Sequence, residues 1–492
     1  MEKQSLFDYI EQHQKIFTHV SDRIWELAEL SLQEFESAAL YEKVLKEEGF
    51  TVESGLCNVK TAFSGSYGSG RPIIGILAEF DALSGLSQKG GAESREVLKE
   101  GASGHGCGHN LLGAGSLAAA FAIKHYLQET KTPGTVIFYG CPGEEGGSGK
   151  TFMAREGLWK NLDAALTWHP GSANAIVSGT CNSSIEVEFR YHGIASHAAG
   201  DPQAGRSALD GVELLNVGVQ FLREHMKDSD RIHYSITDAG GISPNVVQSD
   251  ARVLYMVRST QVRQCIELLK RVIQIAKGAA MMTETTVDYR YIDGTANTVA
   301  NHTLEEILYK NFELLGVDSY SEEEWAFASA LKQTFPNQPE EILAGIKEMV
   351  DAKDYKQVSE LSDHGKKALF DFLVPYKASD KQSMGSTDVG DVSWLTPTAQ
   401  FETVCFAGGS PGHSWQNVSC GKTSIAHKGL LTAGKVLAAA AVDLFENPDL
   451  LVKAKEEFKE NAKDGYLCPI PDGVPPTTVD DPFVPAPESL NQ

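Results

Sequence analysis

The sequence predicts an α/β protein in which a larger domain with a mostly parallel sheet is interrupted by a smaller α+β domain. Three observations predict it. The run Ile73 to Leu77 is continuously apolar, as a strand buried on both faces is, and GTVIFYG and LDAALTW read as a second and a third buried strand. Each ends in a polar loop, and the Ala-rich stretch NLLGAGSLAAAFAIKHYL between the first two reads as a crossover helix. From about residue 183 the apolar runs give way to alternation, as in SSIEVEFRYHG and ARVLYMVRST, which marks half-exposed strands.

In chain order, the first 55 residues read as helical, with SDRIWELAELSLQEFESAALYEKVLKEEGF closing on a Gly. The three buried strands follow, with polar loops at Asp81, Glu144 and His169. In open α/β sheets the site lies beyond the carboxyl ends of the strands, where these loops fall. Residues 183–295 then read β-α-β-β-α-β, with SALDGVELLNVGVQFLREHM and QVRQCIELLKRVIQIAKGAAMM as helices. The larger domain is therefore expected over 1–182 and 296–492, with a ferredoxin-like insert over 183–295. Residues 318–380 are charged and mainly helical, without a functional signal. After them come SMGSTDVGDVSW, the strand-like FETVCFA, the loop GGSPGHSW and the helix KGLLTAGKVLAAAAVDLF. The Pro-rich tail from Pro469 reads as an extended strap or a mobile end.

Bulk properties narrow the function. The chain has 492 residues, 42% hydrophobic, with a formal net charge of −23. So acidic a surface argues against nucleic acid or an anionic membrane as the main partner. It also obliges an anionic substrate to find a locally positive site. The N-terminal MEKQSLFDYIEQHQKIF has no apolar signal core, and no apolar run approaches the ~18 residues of a membrane span. The eight Cys are scattered. A cytoplasmic, reduced setting is expected, with most thiols inert in the core.

Chemistry concentrates in the strand-end loops. In GHGCGHN, Cys107 and His109 can face one metal if the backbone bends, which Gly106 and Gly108 permit. Thiolate and imidazole suit Zn²⁺ or a similar divalent ion. The alternative is a Gly-rich turn with chance histidines, His105 among them. In CPGEEGGSG, Glu144 and Glu145 repel one another and gain from a cation. One can ligate while the other takes a proton from water, or the pair is a solvated acidic turn. His169 in TWHP and His413 in GGSPGHSW extend the ligand set. His427 in SIAHKG competes, but capping or packing fits it equally. Asp81 in AEFDAL can hold a ligating His in its tautomer.

With these motifs in hand, residues 20–300 and 384–440 resemble the aminoacylase and carboxypeptidase family of two-metal peptidases. The nearer likeness is to its amidohydrolase branch, which includes hippurate and auxin-conjugate hydrolases. Cys107-Gly108-His109, Glu144-Glu145, Trp168-His169-Pro170 and His413-Ser414 stand at the branch's motif positions. Two departures are Asn110, where the branch has Asp, and Glu79, in a commonly acidic place; neither is expected to touch a ligand.

The resemblance implies a metal-dependent amidohydrolase that cuts an amide bond to an amino acid carrying a free carboxylate. It implies two divalent ions, Mn²⁺ or Zn²⁺, held by Cys107, His109, Glu145, His169 and His413, with Glu144 as base and Asp81 supporting the ligands. The inserted domain becomes a lid and dimerisation domain. His197 in HGIASHAA is implied to reach across a dimer to the oxyanion. Asn245 in GGISPNVVQ and Arg258 in VLYMVR are implied to bind the substrate carboxylate. For Arg258 the alternative is a strand-surface charge pair. The partners expected are a small N-acyl amino acid and a second copy of the chain, or a related subunit in a heterodimer. A rival reading, a non-catalytic metal-binding subunit, conflicts with an intact Glu144 and all five ligands.

Overall fold

The computed structural model describes residues 2–336 and 338–487. Two helices lead, α1 (Lys3–Leu27) and α2 (Phe35–Glu47). The larger domain continues through β1 (Thr51–Ser54), β2 (Phe63–Ser69), β3 (Ile73–Ala78), α3 (His109–Thr130), β4 (Gly134–Gly140), α4 (Gly149–Arg155), β5 (Ala164–Gly171) and β6 (Ala175–Val177). The second sheet comes from β7 (Ser183–His192), α5 (Ala208–Leu222), β8 (Arg231–Asp238), β9 (Asp250–Ser259), α6 (Val262–Thr283) and β10 (Thr286–Thr295). The chain then returns through α7 (His302–Leu315), α8 (Glu322–Lys332), α9 (Pro339–Met349), α10 (Ala352–Leu361), α11 (Val389–Ser393), β11 (Thr398–Val404), α12 (Trp415–Cys420), α13 (Ser424–Glu446) and α14 (Pro448–Asn461).

The first sheet has seven strands in the order β1-β2-β4-β3-β5-β11-β6. Its four central strands, β4, β3, β5 and β11, run parallel, and the outer ones antiparallel. The central strands are the apolar runs of the sequence, because helices cover both faces. Buried α3 and α13 pack on the sheet where small residues let them approach. A Cβ on Gly115 would lie 2.6 Å from the Trp168 ring and 2.9 Å from the Leu430 carbonyl. Trp168 in turn donates its indole N–H to the Leu112 carbonyl at 3.0 Å, which fixes β5 against α3.

The second sheet is antiparallel, in the order β10-β7-β9-β8. Val187, Val253, Tyr255 and Val257 face α5 and α6 in its core. The opposite face carries Glu186, Arg190, Met256 and Arg258, which are half-buried. The period of two in the sequence is thus the signature of a sheet with one covered face. The tail is a strap rather than a loose end. Arg155 donates to the carbonyls of Pro471 and Val474 at 3.0 and 2.9 Å. Arg290 donates to those of Val479 and Asp481, both at 2.9 Å. The Phe483 ring lies under Arg190, Arg252 and Arg290 at 5.6, 5.9 and 5.1 Å. All eight cysteines are free thiols. No described helix is long and apolar enough to cross a membrane.

Candidate metal centre

The carboxyl ends of the four parallel strands and the loops beyond them bring the candidate ligands together. β3 runs into AEFDAL, where Glu79 and Asp81 are two apart and both buried. Gly108 turns the chain into α3 at φ 83°, where a Cβ would meet Phe406 and Pro170, each at 2.8 Å. That turn sets Cys107 and His109 on either side of one point. His169 lies near the carboxyl end of β5, the Glu pair follows β4, and His413 sits beyond β11 at φ 50°. A non-Gly residue in the left-handed region is held there by its surroundings.

Ligand atoms of Cys107, His109 and His169 lie within 4.8 Å of one another, as do those of Cys107, Glu145 and His413, and of Glu79, His109 and Glu144. Cys107 Sγ is 3.3 Å from His169 Nε2, and His413 Nε2 is 3.4 Å from Glu145 Oε2. His109 Nε2 and Glu145 Oε1, 4.0 Å apart, are buried and have no hydrogen-bond partner among the described residues. Buried polar atoms are otherwise almost always paired, so this pair of orphans fits a cation.

Each ligand is also oriented from behind. Asp81 Oδ1 accepts from His109 Nδ1 at 2.9 Å, which turns Nε2 towards Glu79 and Glu145. Asp81 Oδ2 accepts from Ser31 Oγ at 2.7 Å and from the Glu145 backbone N–H at 2.9 Å. Burial alone would raise the Asp81 carboxyl, but His109 and these donors hold it at about 2. His169 Nδ1 donates to the Pro170 carbonyl at 2.9 Å. Burial, then the charge of His109, lowers His169 to about 4, so its imidazole is neutral and Nε2 is available. Burial raises the Cys107 thiol, against the pull of His109.

These motifs match a described family. The sequence profile of Peptidase family M20/M25/M40 matches residues 76–326. The chain is 44% identical over 472 residues to a p-aminobenzoyl-glutamate hydrolase subunit of Escherichia coli (strain K12), spanning 96% of this chain and 98% of that one.

The chain belongs to peptidase family M20/M25/M40.

A more distant relative is Xaa-Arg dipeptidase of Mus musculus, 28% identical over 78% of this chain and 73% of that one. The fold is shared with a Bacillus subtilis protein described as a dinuclear metal binding peptidase of the M20 family. That match has a TM-score of 0.52 at 17% identity and covers 88% of this chain and 99% of that one. As a member of this family with so near a hydrolase relative, the chain is a hydrolase of amide bonds.

One sequence expectation changes in three dimensions. Glu79 does touch a candidate ligand: its Oε2 is 3.3 Å from His109 Nε2. It reaches there because β3 points Glu79 and Asp81 to the same side. Asn110 stays clear, donating to Ser21 Oγ at 3.0 Å and to the Gly421 carbonyl at 3.1 Å. His105 turns away, its Nε2 donating to the Ile24 carbonyl at 3.0 Å. His427 pairs with Asp22 at 2.9 Å, outside the cluster.

Sequence reasoning missed what stands behind the Glu pair. Lys150 is wholly buried, 2.7 Å from Glu79 Oε1 and paired also with Asp388. Burial opposes its charge, but Asp388 and Glu79 hold its ammonium well above the ordinary range. Burial, then the charges of Glu79, Glu145 and Asp388, raises Glu144 well above a usual carboxylate. Lys150 follows the Glu pair in GSGK and Asp388 lies in STDV, and no local pattern joins the two.

The three remaining candidates lie on the second domain, in two places. His197 and Asn245 share its tip: His197 bridges Val246, and Ala198 N–H donates to the Asn245 carbonyl at 2.9 Å. His197 Nδ1 accepts from Ala199 and Gly200 N–H at 3.2 and 3.0 Å, which leaves Nε2 as the outward donor. Arg258 is at the base, donating to Ser386 Oγ at 2.8 Å beside the larger domain.

Proposed function

We propose that this protein hydrolyses the amide bond of N-acyl amino acids with a free carboxylate, and that p-aminobenzoyl-glutamate is its substrate, yielding p-aminobenzoate and glutamate. The observation that carries the reading is the convergence of Cys107, His109, Glu145, His169 and His413, with two orphaned ligand atoms, beside Glu144. The substrate rests on the name of the 44%-identical relative and on the runs FYGCPGEEGGSGKTFM and STDVGDVSW, which resemble that protein.

The five residues would hold two divalent ions, Mn²⁺ or Zn²⁺, the thiolate favouring Zn²⁺. When bound, such ions supply Lewis acidity at the carbonyl and make water more acidic. Glu144 takes the water's proton and returns it to the leaving nitrogen as the C–N bond breaks. Asp81 keeps His109 and Glu145 in place through both steps. His197 Nε2–H donates to the tetrahedral oxyanion. Arg258 and Asn245 grip the carboxylate of the amino-acid half.

A shared site in a homodimer is supported by the second sheet. β8 is an edge strand, running from Arg231 at the base to Asp238 near the tip. Seven steps of about 3.3 Å put base and tip about 23 Å apart. A second β8 paired antiparallel to it would bring the partner subunit's tip, with its histidine and asparagine, to this chain's base. The exposed Ile194, Ile236, Ile242 and Val246 supply apolar surface around that edge. The word "subunit" in the relative's name leaves room for a related second chain in the same position. Eight free thiols fit a cytoplasmic setting.

The test is a panel of p-aminobenzoyl-glutamate, indoleacetyl-aspartate, hippurate and dipeptides, assayed with added Mn²⁺ or Zn²⁺. Preference for p-aminobenzoyl-glutamate is expected. Preference for another conjugate would reassign the acyl half, and no turnover across the panel would remove the catalytic reading.

A further inference from the structure

The face of the second sheet opposite α5 and α6 has two ends of different electrostatic character. At the far end, each cation has a partner. Arg190 pairs with Asp250 at 2.7 Å and Arg290 with Glu188 at 2.8 Å, while Phe483 stacks beneath Arg190, Arg252 and Arg290. At the base the pattern is reversed. Arg231 of β8 stands directly opposite Arg258 of β9, and His233 is the next residue of β8 on the same face, opposite Met256. Like charges in opposed positions of a sheet are destabilising.

One carboxyl, Glu186, lies in the field of Arg258, and no ion pair closes on either arginine among the described residues. Arg231 donates to the backbone carbonyls of Asp228 and Asp230, and Arg258 to Ser386 Oγ; neither has a carboxylate ion partner among the described residues. His233 is held below its usual range by burial and then by Arg258, Arg223 and Arg231, which places all four basic groups in one field. Glu186, on the same face, is raised to about 7 by its burial against the pull of Arg258, so a single carboxyl faces the two arginines and His233. In a chain of net charge −23, two opposed arginines with no carboxylate ion pair between them, beside the larger domain, are suited to an anion.

We infer that Arg231 and His233 form a second carboxylate-binding pair next to Arg258, and that they select dicarboxylic amino acids as the released half of the substrate. This rests on the hydrolase reading above and adds to it the residues that read the side chain. The Cβ atoms of opposed residues are about 5 Å apart, close to the spacing of two carboxylates on one short amino acid. Arg258 then holds the carboxylate common to all substrates, and Arg231 with His233 holds the one that only aspartate or glutamate carries.

The experiment compares kcat/KM for p-aminobenzoyl-L-glutamate and p-aminobenzoyl-L-glutamine, which differ only by the charge at the side-chain end. The wild type should favour the glutamate substrate. Arg231→Gln and His233→Gln should each lower that substrate's kcat/KM, together by roughly 10- to 100-fold, the value of a hydrogen bond to a charged group. The glutamine substrate should stay within about twofold, since its contacts are untouched. Melting temperature and bound metal, measured alongside, show whether the variants fold, and Arg231→Lys retains part of the preference if charge is what is read. An unchanged ratio of the two substrates, or an equal loss on both, overturns the inference while leaving the hydrolase reading standing. Failure of the wild type to cleave any N-acyl amino acid removes the hydrolase reading and this inference with it.

Discussion

Two inactive variants of this protein should restore each other's activity when mixed. The perturbations are His197→Ala at the tip of the second domain and Arg258→Ala at its base, beside the larger domain. β8 runs about 23 Å from the base, where Arg231 stands opposite Arg258, to the tip, several side-chain lengths, so on the proposed shared-site reading one chain's His197 serves a different site from its own Arg258. If antiparallel pairing of two β8 edges carries the partner's tip to the base, each site takes Arg258 from one chain and His197 from the other. A dimer containing one chain of each variant then has one site with both residues and one with neither. Equal mixing makes about half of the dimers mixed, so activity should recover to about one quarter of the wild type. Each variant alone should be nearly inactive, since loss of an oxyanion donor costs on the order of 10²- to 10³-fold in rate. The assay is steady-state hydrolysis of p-aminobenzoyl-glutamate after co-refolding or prolonged exchange, with size-exclusion chromatography to confirm dimers. No recovery from demonstrably mixed dimers would refute the shared site, as would full activity in a strict monomer.

Three further outcomes are expected. Glu144→Gln should retain metal and lose activity by roughly 10²- to 10⁴-fold, the contribution of a positioned proton-transfer group; elemental analysis paired with kinetics checks it, and loss of the ions would reassign Glu144 as a ligand. Cys107→Ala should reduce bound metal below two ions per chain after dialysis, because both Cys107-containing ligand groups lose a member; unchanged stoichiometry by elemental analysis would exclude Cys107 from the centre. His302 is raised to about 9 by its hydrogen bond to Glu305 at 2.9 Å, so its stabilising charge is present below about 6.5 and lost as pH rises through 9. His302→Gln should therefore lower Tm at pH 6 and leave it nearly unchanged at pH 10; an equal loss at both would assign His302 to packing instead.

What the sequence determined by itself is local. Continuous apolar runs mark the buried parallel strands because a strand covered on both faces has no polar side to show, and alternation marks the half-covered sheet of residues 183–295. The ligand motifs were legible because Cys107 and His109, or Glu144 and Glu145, are close together in the chain, and because the Glu pair lies just past a recognisable strand. Tertiary structure alone decided the rest. Lys150 and Asp388 are 238 residues apart, and an isolated lysine at a helix start reads as a surface charge; only burial between two carboxylates makes it part of the centre. Glu79 reads as a harmless departure until β3 aims it at His109. The Pro-rich tail fits strap or loose end alike until Arg155 and Arg290 take its carbonyls. The opposition of Arg231 to Arg258 depends on the register of two strands joined by a long loop. Periodicity records which face of an element is dry, but which charges meet is set by how separate elements pack, and that information is spread over the whole chain.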